Sequence, residues 1–425
     1  MTGLQKRLVG AVASAAVLLN SAMPVFATEI VISGNGAGSD NYATVSQTTT
    51  TTVAQNNTAV VNNQVGASAT TGNNDSSFNT GGDSVISTGD ASTKVDVSTD
   101  MNSNSAQVDC CASAGDTTVK IDGNGAFSDN LVTLDQTSTT TVAQNNTAYV
   151  DNRVYADANS GDNNASSNTG GATAILTGKA STDVTISNSG NTNAAVVSGG
   201  NPANTPSASF IISGNGAGSD NWISASLLKA TTLAQNNNAD IDNYVHAKAE
   251  SGDNKASFNT GGDNLIHTGK ATSTVGIDNS VNFNYADIDC GCTWDVLAKI
   301  TGNSANPFGH HHRKHSENSD VNGITLGLES FQTYAQNNGA SLDNVVASGA
   351  KASSGDNELF ANTGEPGGDP AILTGNASTD VTVTNSGNVN QIGGGFPMPW
   401  WPEDLSGIDF SFNLGTFLAF FGISF

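Results

Sequence analysis

The residues best suited to chemistry gather in a few places. His310-His311-His312-Arg313-Lys314-His315 holds four of the six histidines, close to Pro307 and Gly309. Clustered imidazoles chelate borderline cations such as zinc or nickel. His310, His311, His312 and His315 are therefore candidate metal ligands, set against the simpler reading of a solvated basic loop. Cys110-Cys111 and Cys290-Gly291-Cys292 are two close thiol pairs, each following an apolar-Asp step (Val108-Asp109, Ile288-Asp289). They are disulfide candidates in an oxidising compartment, or else two free thiol pairs. The chain has no Gly-x-Ser-x-Gly elbow, no His-Glu-x-x-His and no phosphate-binding loop. Its carboxylates mostly sit beside Gly or Asn, as in Ser39-Asp40-Asn41 and Gly252-Asp253-Asn254. They recur in each repeat, which suits turns better than the single carboxylate pair of a glycosidase.

Gly34-Asn35-Gly36-Ala37-Gly38-Ser39-Asp40-Asn41 recurs at 214–221, with a weaker echo at Gly123 to Asn130. These stretches resemble the glycine/aspartate nonapeptide of calcium-binding β-rolls. The resemblance implies calcium ligands at Asp40, Asn41, Asp220 and Asn221, oxygen donors of the kind calcium takes. That family stacks its motif in tandem and this chain does not, so the ligand set would be incomplete. The alternative is an ordinary Asx and Gly turn. No cofactor is required by the sequence; calcium is the one ion it suggests.

The elements that must position these residues are repeats. Ala-Gln-Asn-Asn recurs at 54–57, 143–146, 234–237 and 335–338. Asn-Thr-Gly recurs at 79–81, 168–170, 259–261 and 362–364, and Thr-Gly-x-Ala at 88–91, 177–180, 268–271 and 374–377. Three markers in one order, four times, define four units of about ninety residues. Units one and three share their opening and their cysteine ending, so the larger object is an AB pair present twice. The boundaries are 28–116 (A1), 117–206 (B1), 207–296 (A2) and 297–395 (B2). B2 carries a His-rich insertion around Asn306 to Ser319 and a smaller one near Glu365 to Pro370. Before the repeats, Lys6-Arg7, the apolar run Leu8 to Leu19 and Val25-Phe26-Ala27 make 1–27 a signal peptide. The expected location is therefore secreted, extracellular or at the cell surface.

Short alternating runs between Gly, Asn and Asp, such as Glu29 to Ser33, Lys94 to Ser98 and Asp183 to Ser187, read as strands and turns. No long apolar stripe at helical spacing follows residue 27. The sequence thus predicts an all-β, repetitive parallel β-helix or β-solenoid. The 17-residue Gly-to-Gly intervals (Gly72 to Gly89, Gly161 to Gly178, Gly252 to Gly269) suggest coils of about 17–20 residues, about five per unit. Small Ala, Val, Ser and Thr suit a narrow core, and stacked Asn and Thr can satisfy one another. The competitors are four sandwich domains, which lack bulky core residues in the first two units, and a disordered surface stalk. With such coils Cys110 and Cys290 would stand about 48 Å apart at about 4.8 Å per coil. A disulfide needs Cα atoms within about 7 Å, so bridging would be local or between molecules.

From about Gly395 the chain changes character. Trp400, Trp401, Phe410, Phe412, Phe417, Phe420, Phe421 and Phe425 fall in 396–425, an aromatic segment expected to cap the last coil, dock another subunit or attach to an envelope.

The Asn/Thr/Gly-rich repeats behind a bacterial-type signal peptide resemble those of bacterial secreted and cell-surface β-helical, adhesin-like proteins. The likeness spans nearly the whole chain after 1–27 but is compositional. It implies an extracellular adhesin-like or envelope structural role and transfers no catalytic residue. The formal charge of −24 argues against nucleic acid. The expected partners are glycans, other surface proteins, further copies joined through the C-terminal segment, and a membrane or cell wall. The favoured reading is non-enzymatic and structural. The alternative is a polysaccharide-acting enzyme on a β-helix scaffold. Ice or mineral binding, prompted by Thr48 to Thr52 and Thr139 to Thr141, ranks below both, because no regular Thr-x-Thr array is sustained.

Overall fold

The computed structural model describes residues 28–109, 116–198, 207–289, 295–303, 321–347, 350–364 and 370–393. Residues 1–27, expected from the sequence to be a signal peptide, all four cysteines, the histidine tract, the insertion at 365–369 and the aromatic tail lie outside them. Residues 393–425 form a unit of their own, and everything below belongs to the first unit, which ends at Ile392.

The fold is an all-β parallel solenoid, and one repeat is one rung. The first rung comprises β1 (Thr28–Ser33), β2 (Asp40–Thr70), β3 (Ser84–Ser87), β4 (Ala91–Asp100) and β5 (Ser103–Asp109). The second holds β6 (Thr117–Asp122), β7 (Asp129–Asn159), β8 (Asn164–Ser166), β9 (Thr173–Leu176) and β10 (Ala180–Ser198). The third holds β11 (Ser207–Ser213), β12 (Asp220–Glu250), β13 (Lys255–Ser257), β14 (Asn264–His267) and β15 (Ala271–Asp289). The fourth holds β16 (Asp295–Thr301), β17 (Asn322–Val346), β18 (Lys351–Ser353), β19 (Glu358–Phe360), β20 (Ala371–Leu373) and β21 (Ala377–Ile392). Each strand pairs in parallel with its equivalent in the next rung, giving the sheet orders β1-β6-β11-β16, β2-β7-β12-β17 and β4-β10-β15-β21. Register pairs like with like: Gln55 with Gln144, Gln144 with Gln235, Gln235 with Gln336.

The solenoid expectation holds; the coil length does not. Hydrogen-bonded partners lie 89 residues apart between rungs one and two and 91 between rungs two and three. The 17-residue glycine interval spans the short end of a rung, from the turn after the long strand to the turn before the return strand. It marks two corners of one coil. The physical reason is the long strand itself: β2, β7 and β12 run 31 residues without a break. Their inward positions include Asn, Gln and Thr, so hydropathy does not alternate cleanly along them. The premise that Cys110 and Cys290 stand ten coils apart falls with the coil length. The preceding Asp109 and Asp289 both pair with Ser198, one rung on either side of it.

The insertions in the fourth repeat enter at joints. The rung-to-rung offset is 88 at Asn303, before the His-rich insertion, and 101 at Asn322 after it. It reaches 103 in β19, before the smaller insertion, and 106 in β21 after it. Extra chain is thus accommodated between strands, and the ladders resume in register.

Each rung is two layers thick. The long strand forms one layer, and the return strand with the first short strand forms the other. Alternate residues meet between them. Val154, Ala156, Val245 and Ala247 of the long strands pack on Val184, Ile186, Val275 and Ile277 of the return strands. Ile121, Phe210 and Ile212 pack on Val132, Leu134, Ile223 and Leu227. The short strands close one end around Ile86, Ile175 and Ile266. The buried hydrophobic side chains are mostly Ala, Val and Ile, which fit a narrow two-layer core.

Half of the interior is polar, and it is satisfied along the axis. Asn63, Asn152, Asn243 and Asn344 form one ladder, with Nδ2 to Oδ1 distances of 2.8, 2.7 and 2.7 Å. A second ladder crosses the core. Asn57 donates to Asn104, Asn104 to Asn146, Asn146 to Asn193, Asn193 to Asn237, Asn237 to Asn284, Asn284 to Asn338 and Asn338 to Asn390, all at 2.8–2.9 Å. It zigzags between the two layers through all four rungs. Gln144 donates to Gln55 and to the Ala194 carbonyl, and Gln235 repeats this one rung on. An unpaired buried amide would cost about 1–3 kcal/mol; the ladder pairs each amide with its copy above and below.

Candidate functional site

Two features carry side chains that can do chemistry. The first is the turn after the long strand. Gly72, Gly161, Gly252 and Gly355 open it, and the next residues, Asn73, Asp162, Asp253 and Asp356, all have φ between 56° and 61°. Asn and Asp are the non-glycine residues best tolerated there, which accounts for the aspartates as turn residues. In the second rung Asn159 Nδ2 donates to Asp162 Oδ2 at 2.7 Å, and its Oδ1 accepts from the Gly161 N–H at 2.7 Å. In the third rung Glu250 takes the place of Asn159. An amide that donated to the aspartate becomes a second carboxylate.

Asp162, Glu250 and Asp253 consequently each bring a carboxylate oxygen within 4.8 Å of the others. Glu250 is buried and Asp162 exposed. Glu250 and Asp253 share a hydrogen bond. That bond, with burial and the charges of Glu250, Asp162 and Asp356, raises the Asp253 carboxyl from its ordinary 3.8 to about 6. Burial opposes ionisation of Glu250, yet the hydrogen bonds from Asp253 and Lys248 outweigh it and its pKa falls below the ordinary 4.5. Lys248 is ion-paired to Glu250 along the strand, and this pair raises the lysine. The pair thus holds one proton at mildly acidic pH, carried by Asp253. The three oxygens could hold a divalent ion in place of that proton.

The second feature is the outer face of the long sheet. Tyr42, Leu131 and Trp222 stack in one column that ends on Gly323. A Cβ built on Gly323 would meet the Trp222 ring at 2.2 Å, so the indole lies against that backbone and only glycine fits beneath it. With Asp129, Asp220 and Val321 these side chains line a shallow open hollow. Further along, Tyr155 lies 5.9 Å from Tyr244 and 6.3 Å from His246 between ring centroids. Beside them Asp151, Asp242 and Asp343 stack in a column. Arg153 answers Asp151 at 3.0 Å. Burial, then the charges of Asp240, Asp343 and Asp151, raise Asp242 above the ordinary carboxylate value.

Of the residues proposed from the sequence as calcium ligands, Asp40 and Asp220 are exposed on the outer face, and Asn41 and Asn221 turn inward. Asn41 donates to Asn130, Asn130 to Asn221 and Asn221 to Asn322, a ladder at 2.6–2.8 Å. The Asp and Asn of one pair therefore point to opposite sides of their strand. Asp40 and Asp220 stand two rungs apart with Asp129 between them. The Gly-rich turn preceding them is itself a ladder: Asn35, Asn124, Asn215 and Asn303 bond in series at 2.8–3.0 Å. The histidine tract, the cysteines and the tail aromatics lie outside the described residues. Sequence reading missed Glu250; the signal was its place against Asn159 and Thr70 once rungs are aligned at 89 and 91 residues.

No protein-family model, curated protein or solved structure matches this chain. The repeats and their stacked geometry therefore carry the functional argument. Among the described residues no helix is long and apolar enough to cross a membrane.

Proposed function

We propose that this is a non-enzymatic extracellular structural protein of adhesin type, a β-solenoid whose long outer face binds polar partners such as glycans. The segment at 1–27, read as a signal peptide, supports the location. The observation that carries the binding role is the division of labour across the long strand. Inward amides are consumed by ladders, while outward positions repeat Asp (Asp40, Asp129, Asp220; Asp151, Asp242, Asp343) and Thr (Thr52, Thr141, Thr232, Thr333) at rung spacing and carry the exposed rings of Tyr42, Trp222, Tyr155 and Tyr244 among them. Aromatic rings offer flat apolar surface to the C–H faces of sugars, and neighbouring carboxylates accept from hydroxyls. Columns of like groups provide several weak contacts at once, which adds avidity. On a glycan array the full chain should bind a subset of polysaccharides. Trp222→Ala, at a site 40 % exposed, should weaken that binding about tenfold, the size of one lost hot-spot contact, with the melting temperature unchanged. Absence of binding to any polysaccharide would remove the glycan reading and leave the scaffold role.

A second reading follows from the carboxylate cluster: calcium bound by Asp162, Glu250 and Asp253. Calcium takes several carboxylate oxygens, and a site with three would be of the weak, extracellular type. Because Asp253 titrates near 6, protons compete with the ion. Affinity should be highest above pH 7 and fall as the pH drops through about 6. Titration calorimetry at pH 7.5 and 5 checks this, and Glu250→Gln should abolish the heat; no heat at millimolar calcium would end the reading. The enzyme alternative draws no support from this cluster. A retaining glycosidase holds its carboxyl groups about 5–5.5 Å apart and an inverting one farther, whereas Glu250 and Asp253 are hydrogen-bonded to each other.

A further inference from the structure

The two ends of the solenoid match each other. Among the described residues β1, β2 and β4 of the first rung are unpaired on one edge, and β16, β17 and β21 of the fourth are unpaired on the other. We propose that copies of this chain stack end to end, the fourth rung of one on the first rung of the next, so that the joint repeats the contact already made inside the molecule.

Three features of the solenoid support a second copy as the occupant. The first is the glycines. A Cβ on Gly72 would lie 1.9 Å from the Gly161 carbonyl oxygen, one on Gly161 1.9 Å from that of Gly252, and one on Gly252 1.8 Å from that of Gly355. Gly355, last in the column, would meet nothing within 4 Å. A second column runs the opposite way: a Cβ on Gly375 would strike Gly269, one on Gly269 Gly178, and one on Gly178 Gly89, all at 2.2–2.3 Å, while Gly89 is free. Neither Gly355 nor Gly89 has a positive φ. Among the described residues nothing requires glycine at either place; a stacked copy requires it at both, with Gly355 under the next copy's Gly72 and Gly375 under its Gly89.

The second is polarity. In the principal Asn ladders the amide of one rung donates to the oxygen of the next higher rung. Among the described residues the Oδ1 atoms of Asn35, Asn63, Asn74 and Asn79 in the first rung accept nothing. At the other end Asn338 Nδ2 and Asn344 Nδ2 donate only within their own chain, to the fourth-rung return strand, and among the described residues have no higher rung to donate to. The donors of one end and the acceptors of the other lie in the same columns, which is the arrangement of a head-to-tail joint.

The third is composition. A first rung above a fourth continues the A-B-A-B alternation. Ile372 and Val381 are 42 % and 44 % exposed, whereas their equivalents Ile266 and Val275 are at 0 % and 1 %. Lys94, which already reaches Asp183 at 3.6 Å, would come over Asp380 of the copy below, since Asp380 shares its column. Against this, Glu358 would come over Asp75, and a formal charge of −24 makes copies repel. Assembly should therefore rise with salt.

Sedimentation of the full chain in 0.5 M NaCl, over a wide concentration range, is the test, repeated on a chain ending at residue 393. The expected result is a concentration-dependent series of larger species from the full chain. Gly355→Ala and Gly89→Ala should melt as the parent does and should each weaken association at least tenfold. A full chain that stays monomeric at every concentration overturns the proposal, and so does Gly355→Ala or Gly89→Ala assembling like the parent. Monomeric full chain with an assembling truncated chain also overturns it for the natural protein, because the last rung is then covered by something other than a copy. Glycan binding is read separately, so failure of one does not decide the other.

Discussion

Asn193→Leu should cost on the order of 3–5 kcal/mol of stability, as two donors lose their acceptor at about 1–3 kcal/mol each and the replacement is misfitted. Asn193 is fully buried at the centre of the crossing ladder. Its Oδ1 accepts from Asn104 and from Asn146, each at 2.9 Å. Its Nδ2 donates to Asn237 at 2.8 Å and Asn284 at 2.9 Å. Leucine is similar in size and more apolar, so a core held by hydrophobic burial alone would tolerate it. Here the neighbours stay polar: Asn104 and Asn146 would each lose an acceptor, and Asn237 and Asn284 a donor, in the buried core. Asn193→Asp tests the same point from another side. It keeps the acceptors but loses both donors and buries a charge, so it should be at least as harmful. Urea unfolding followed by circular dichroism measures both. A midpoint for Asn193→Leu that matches the parent would mean that the ladder stabilises nothing.

Gly252→Ala should destabilise by about 3 kcal/mol or more, at the upper end of overpacking effects. The added methyl carbon would sit 1.8 Å from the Gly355 carbonyl oxygen and 2.8 Å from its carbon. Both are backbone, so no rotamer change relieves the clash; the third and fourth rungs must separate locally. The damage should be directional. In a solenoid each rung touches only its neighbours, so hydrogen exchange should quicken first in β17 and β21 and least in β2. Gly355→Ala, the same change one rung higher, meets open space in a single chain and should stay within about 0.5 kcal/mol. Equal effects at the two positions would show that helical or turn propensity, and not rung contact, sets the glycine requirement.

The carboxyl proton links the same turn to pH. A raised acid pKa means that the folded state holds its proton more tightly than the unfolded chain does. Asp253 therefore contributes stability below about pH 4 that is lost as the pH rises through its folded value of about 6. Glu250 is shifted downward and works in the opposite sense at lower pH.

Much of this protein was determined by sequence alone. The repetitive all-β solenoid class was legible, and the recurring sequence markers align in the ladders, because register is set by identity. Asn stacks on Asn and Gly on Gly, so residues that recur in order must lie above one another. Short apolar runs such as Glu29 to Ser33 and Asp183 to Ser187 fall in β1 and β10 for the ordinary reason that period-two alternation buries one face. What the tertiary structure decided was the size of the coil and the meaning of the polar residues. A 31-residue strand whose inward side chains mix Asn, Gln and Thr with Val, Leu and Ala leaves only a broken hydropathy signal, since those amides are buried only because a second layer and a neighbouring rung satisfy them. The glycine spacing was read as a coil because a corner looks the same whether the chain has completed a turn or only an end of one. The carboxylate cluster was hidden for a related reason: Asp162 and Glu250 are far apart in sequence and adjacent only across a rung. The repeated units remain a scaffold, but each is a single long coil, and its exceptions, one glutamate in a column otherwise of Thr, Asn and Ser and glycines at two open ends, are visible only once the coils are stacked.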